Sequence, residues 1–415
     1  MTVPAKYRDV SGRTFNGDAA ICSKIFAIAS EPLGEVVLTF FEEMPPPYMR
    51  QARRGVSGPI PSMSLTTLKE RLEKANLKVT EWNLAKQDTP PKPEPNPGPD
   101  KAVRPQVLLV LPPPAPSPMP PMRGQPPPPQ WGPQHDENLH KAIDDGMPAV
   151  FLATFAPPPQ FAMRQAPSYV LGDYLKESWG VDVRTDLLVV QAEADPDDPG
   201  TYVLPVVRWN FMPLSTFTDH PVGKPLKARR LYWLNTCPVV KVKDSQAKTK
   251  IEDILAIPQG VRGIWAASNA MQLAAKVYTG RGRGIVPGSA EGDLTSPFSI
   301  VVQASKTAGE KTNSIIVLGV GLIYIDEVLN RPVPRLGAGE TLATDPPPTG
   351  AVDLVINSVY HLIDKDEYIG AGPTLTPRIR HIPVGTMTVL KIVFGLVWPL
   401  ALLGIGGIVM LARRR

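Results

Sequence analysis

The run VLLVL at Val107–Leu111 decides the fold. Five successive apolar residues without a polar alternation fit a strand buried on both faces, as in a parallel sheet. The same signature returns in EVVLTFF (35–41), AVFLATF (149–155) and SIIVLG (314–319). Amphipathic segments lie between these runs. SLTTLKERLEKAN (64–76) reads as a helix with Ser64 as N-cap and Leu65, Leu68 and Leu72 on one face. LKVTEWNL (77–84) alternates as a strand, and 136–145 reads as a helix ending before Gly146. DAAICSKIFAIA (18–29) and 169–178 have helical spacing, and 187–191 reads as a strand. The expected class is therefore α/β, a mostly parallel sheet with helices on both faces.

The second half is less regular. Strands are expected at 202–208, 238–243, 297–304 and 314–319, short helices at 251–255 and 266–275, and an apolar helix at 352–362. The expected organisation is a first α/β domain over 11–185, a second α/β part over 186–383 and a membrane anchor over 384–415. Proline-rich insertions interrupt the first at 86–101 and 112–133. Proline numbers 50 in 415 residues, well above an average usage of about 5%. Its clustering points to long exposed loops, with polyproline ligands for a partner as the alternative.

LKIVFGLVWPLALLGIGGIVMLARRR closes the chain, and residues 392–412 of it carry no charge. At about 1.5 Å per residue this run spans roughly 30 Å, the thickness of a bilayer core. Pro399 and the glycines weaken it as a water-exposed helix but are tolerated in a membrane. The anchor residues are Lys391, Trp398, Arg413, Arg414 and Arg415. The positive-inside rule places the terminal arginines in the cytoplasm and the bulk of the chain outside it. Residues 1–15 have no apolar core, so an export signal is expected from upstream or from a partner, unless the topology is inverted.

Four of the five net positive charges belong to Lys391 and the three terminal arginines. No basic stripe with interleaved aromatics is present, which argues against nucleic acid as a partner. Cys22 and Cys237 stand in no metal-ligand spacing and read as buried apolar residues. A nucleophile elbow after VLLVL would need Cys or Ser where the sequence reads Leu111-Pro112-Pro113-Pro114. Gly319-x-Gly321 lacks the third glycine of a dinucleotide loop, and no P-loop occurs. GRGRG (280–284) offers anion donors but reads as a solvated loop. His135 and His140, five apart, do not share a helical face for a metal. Asp219-His220-Pro221 reads as an ordered loop and a candidate partner contact. No catalytic residue, cofactor or metal is assigned.

The order of several segments resembles the GldG-like family, gliding-motility auxiliary components of ABC-type transport systems. The segments are 15–29, 64–84, 136–155, 169–191, TDHPVGKPL (218–226), 313–330 and 351–369, followed by a single terminal apolar helix. The chain departs from the family at FFEEMPPP (40–47), where relatives carry a Gly-His-Gly-Glu-like turn, and at Val320-Gly321, where they carry Gly-Asp-Ser. The family's N-terminal membrane helix is also absent. The resemblance implies a flavodoxin/amidotransferase-like domain anchored outside the cytoplasm. It further implies that this domain accompanies an ABC permease and ATPase and acts by binding. The rival expectations are a degenerate amidotransferase-like or carbohydrate-active hydrolase, and an envelope scaffold built on the proline tracts. Oligomeric state is not legible.

Overall fold

The computed structural model describes residues 31–42, 65–95, 103–112, 131–156, 169–205, 211–214, 216–227, 231–242, 248–308, 311–336, 342–345 and 348–370. All belong to the first of two units, Met1–Pro373. The expected helix at 18–29, residues 96–101 of the first proline tract, most of the second and the whole anchor lie outside the described residues. Among the described residues, no helix is long and apolar enough to cross a membrane.

The protein is α/β, built on a nine-stranded mixed sheet. Strands β1 (Gly34–Phe40), β2 (Leu77–Asn83), β3 (Gln106–Val110) and β4 (Ala149–Leu152) are parallel, in the order β2-β1-β3-β4. Helix α1 (Thr66–Lys74) links β1 to β2, and α2 (Pro133–Asp144) links β3 to β4. Helix α3 (Gly172–Trp179) then leads into β5 (Val181–Val183) at the far edge and β6 (Leu188–Gln191) in a separate sheet. Short strands follow: β7 (Glu193–Ala194), β8 (Tyr202–Val203), β9 (Phe211–Leu214) and β10 (Leu231–Leu234). The main sheet resumes with β11 (Val239–Lys241) and β12 (Lys250–Ile257). Strand β13 (Ile264–Ala267), helix α4 (Ala270–Tyr278) and β14 (Leu294–Thr295) complete the smaller sheet around β6.

A long hairpin of β15 (Phe298–Ala308) and β16 (Lys311–Leu318) then inserts into the main sheet. Strand β16 runs parallel to β4, while β15 pairs antiparallel with β11, β12 and β16. Strands from both sides of residue 185 therefore share one sheet. Helix α5 (Asp326–Leu329), the hairpin β17 (Val333–Leu336) and β18 (Leu342–Asp345), and helix α6 (Val352–Leu362) end the described fold.

Every residue of β1, β3 and β4 is buried, as their continuous apolar runs require. Alternate side chains separate into two cores. Val36, Leu38, Leu109 and Ile316 pack under α1 and α6 on one face. Val37, Leu108, Phe151 and Val317 pack under α2 and α3 on the other. A third core joins Leu188, Val190 and Trp265 to α4.

The expected helix at 251–255 is a strand, β12. Its pairing with β15 shifts between Asp253 and Leu255, so Ile254 is an extra residue in the ladder. Ile254 and Leu255 are consecutive and both buried, which disguises the two-residue period. The expected helix at 266–275 divides into the end of β13 and most of α4. Of the strand expected at 202–208, residues 202–203 form β8, and 206–208 lie outside the described residues.

Candidate functional site

The 218–226 loop docks on the sheet and on α6. Thr218 donates its N–H to Ile254 O at 3.0 Å and its hydroxyl to Asp253 O at 2.5 Å, which seats the loop on β12. Gly223 is required there, because a Cβ would lie 2.9 Å from the Phe217 ring and 3.0 Å from Ile254 O. Val222 is buried, and its carbonyl accepts from Asn357 Nδ2 of α6 at 3.2 Å.

The three predicted contact residues behave differently. Asp219 is exposed and pairs with Lys227 at 2.6 Å, which holds its carboxyl below the usual range. Pro221 is exposed. His220 turns inward and is half-buried, with Nε2 at 2.8 Å from Gln303 Oε1 of β15 and its ring edge-to-face with His361 at 5.0 Å. Burial, and then the neighbouring His361, push its pKa below the ordinary histidine value. His361 is itself bonded through Nδ1 to Asp366 at 2.7 Å.

Beyond His220, Gln303 Nε2 donates to Ser305 Oγ at 3.2 Å, and Ser305 and Ser314 hydroxyls lie 2.9 Å apart. This polar row runs across the β15–β16 hairpin into a groove of about 1060 Å³. Arg104, Gln106, Lys141, Gln303, Ser314 and His361 are among its lining residues. The groove lies at the amino-terminal ends of β3, β4 and β16, opposite the strand ends where ligands of open α/β sheets usually sit. At that opposite end, Asn83 grips the Glu42 backbone, with Oδ1 accepting its N–H at 3.1 Å and Nδ2 donating to its carbonyl at 2.7 Å.

The other motifs have structural roles. Arg283 of GRGRG forms a two-point pair with the buried Asp195, at 3.1 and 2.6 Å, so its guanidinium is engaged within the protein. His135 Nδ1 accepts the Gly132 N–H at 2.9 Å and caps α2, whereas His140 stacks on Tyr174 at 3.7 Å. Burial pushes the pKa of His140 down. Cys237 is fully buried, and burial raises its thiol far above the ordinary range, which disqualifies it as a nucleophile. Among the described residues, no three His, Cys, Asp or Glu side chains gather as a metal site. Cys22, Pro113, Pro114, Lys391, Trp398, Arg413, Arg414 and Arg415 lie outside the described residues.

Gln303, His361, Asn357 and Asp366 join the loop without having been singled out by sequence. Their signal was faint. Asn357 and His361 stand four apart, hence on one face with Asp353, in a largely apolar helix.

No protein-family model matches the chain, and no curated protein matches it. Among solved structures, it is similar to the mmIFT52 N-terminal domain at 10% identity and a TM-score of 0.34, covering 72% of this chain and 91% of that one. It is also similar to a putative ThuA-like protein from Bacteroides uniformis at 12% identity and a TM-score of 0.32, covering 83% and 97%.

Proposed function

We propose that the protein is a non-enzymatic, membrane-anchored auxiliary subunit of an ABC-type export or gliding-motility system. Its α/β domain, of flavodoxin/amidotransferase-like type, binds partners outside the cytoplasm through the 218–226 loop. The supporting observation is the loop's build: a rigid turn held by Thr218, His220 and Val222 presents Asp219 and Pro221 outward. The segments with GldG-like resemblance also supply neighbouring parts of one fold: α1–β2, α2–β4, α3–β6, β16–α5 and α6. The apolar run at 392–412 supplies the tether.

The test is a photo-crosslinker at position 219 of the full chain in native membranes, with adducts identified by mass spectrometry. The reading expects adducts with a permease subunit, lost when the other residues of the 218–226 loop are replaced by glycine and serine around the crosslinker. The absence of permease adducts, in a chain that still fractionates with the membrane, would contradict it.

A hydrolase is the second reading, favoured by the Asp366–His361 pair, which resembles the acid and base of a nucleophile set. Against it, Ser305 and Ser314 in the same groove bond each other. The position after β3 is Leu111-Pro112, and Cys237 is inert.

A further inference from the structure

We propose that the groove at the amino-terminal ends of β3, β4 and β16 binds a neutral oligosaccharide. Its volume of about 1060 Å³ stands at the upper end of ligand sites, about 300–1,000 Å³, so it suits a short chain of sugar rings better than a single one. Eight of the side chains lining it are amides or hydroxyls and five are carboxylates or cations, so uncharged hydrogen-bonding groups dominate the surface a ligand meets. The site is separate from the outward face of the 218–226 loop, and its test needs no partner protein.

The row across the β15–β16 hairpin ends in an unused donor. His220 Nδ1 accepts the Val222 N–H at 3.3 Å, so the neutral ring donates from Nε2 to Gln303 Oε1 at 2.8 Å. This fixes the Gln303 amide, whose Nε2 donates to Ser305 Oγ at 3.2 Å. Ser305 and Ser314 have two hydroxyl protons, and the 2.9 Å bond between them uses one. Whichever serine donates, the other proton is left for a ligand. The amides on the other side of the groove are left with acceptors. Asn138 of α2 uses Nδ2 on Asp88 Oδ1 at 3.3 Å, and Gln106 of β3 uses Nε2 on Glu35 Oε2 and Pro91 O, both at 3.1 Å. Their side-chain oxygens remain to accept. A sugar hydroxyl donates and accepts at once, so a row of them matches donors and acceptors set side by side.

Other ligand classes fit less well. An anion would meet Asp88, Asp145 and Asp364, together with the carbonyl ends of α2 and α6, which close the groove on two sides. A cation would meet Lys141 of α2 and Arg104 ahead of β3. A peptide backbone would seek an unpaired strand edge, but β3, β4 and β16 are each paired on both sides and offer only their ends. The C–H faces of sugar rings need small apolar patches, and Pro90, Pro93 and Met147 supply them. Pro90 and Pro93 belong to the first proline-rich insertion, which thereby gains a role as a wall of the site.

The experiment is a binding screen on the full chain in a detergent without a sugar headgroup, since a maltoside would compete. The probes are cello-, malto-, xylo- and chito-oligosaccharides of about two to six rings, with oligogalacturonates and a basic peptide as charged controls. At least one neutral series should bind by calorimetry with a Kd of about 0.1–1 mM. S314A and N138A, each at an unchanged urea midpoint, should weaken that binding by about tenfold. No binding of any neutral series up to about 10 mM overturns the proposal. So does binding that both variants leave unchanged, or a preference for the charged controls. If a variant lowers the urea midpoint, amide hydrogen exchange of the wild-type chain with and without the bound oligosaccharide decides. Slowed exchange around Asn138, Ser305 and Ser314 supports the site, and slowing confined to other segments overturns it.

Discussion

At Gly321 the backbone has no room for a side chain. A Cβ there would lie 1.6 Å from Leu234 O, and φ is +74°. Gly319 is similarly close, with a Cβ position 2.2 Å from Cys237 O. The two glycines let the exit of β16 pass against the chain that joins β10 to β11. G321A should therefore cost about 3 kcal/mol or more. G146A, with φ at +103° but open space around it, should cost only about 1 kcal/mol. Urea denaturation of both variants checks the contrast, and equal losses would contradict it. The sequence showed Gly-x-Gly after a strand, but a local pattern carries no record of which distant segment passes there. His220 was legible for a similar half-reason: the Asp-His-Pro turn announced an ordered loop. Its partner Gln303 lies 83 residues away, and only the assembled sheet brings them together.

Helix α1 gains its N-terminal cap from elsewhere in the chain. Asp326, at the start of α5, accepts the N–H groups of Thr66 and Thr67 through its two carboxylate oxygens, at 3.0 and 2.8 Å. The expected cap, Ser64, lies outside the described residues. D326A should cost about 1 kcal/mol, read as a lower urea midpoint with an unchanged slope. No change in the midpoint would show that the cap contributes nothing. Elements with an undisturbed period were readable: 352–362 as a helix and 107–111 as a buried strand match within a residue. Strand β12 was not readable, because the Ile254 bulge breaks its alternation and places two buried residues in succession.

Across the whole molecule, the parallel half of the sheet could be anticipated from apolar runs alternating with amphipathic helices. The antiparallel half could not. The β15–β16 hairpin enters beside β4, and neither its neighbour nor its direction is written in its own residues. The groove shares this origin, since it forms where the starts of β3, β4 and β16 meet the end of α6. The proposed role further requires that this domain be held on the outer side of a membrane by residues 392–412. Protease access in intact cells, with one epitope placed in the 218–226 loop and another after Arg415, tests that claim most directly. The account predicts that external protease removes the loop epitope and spares the terminal one. Protection of the loop epitope until the cells are lysed would contradict it.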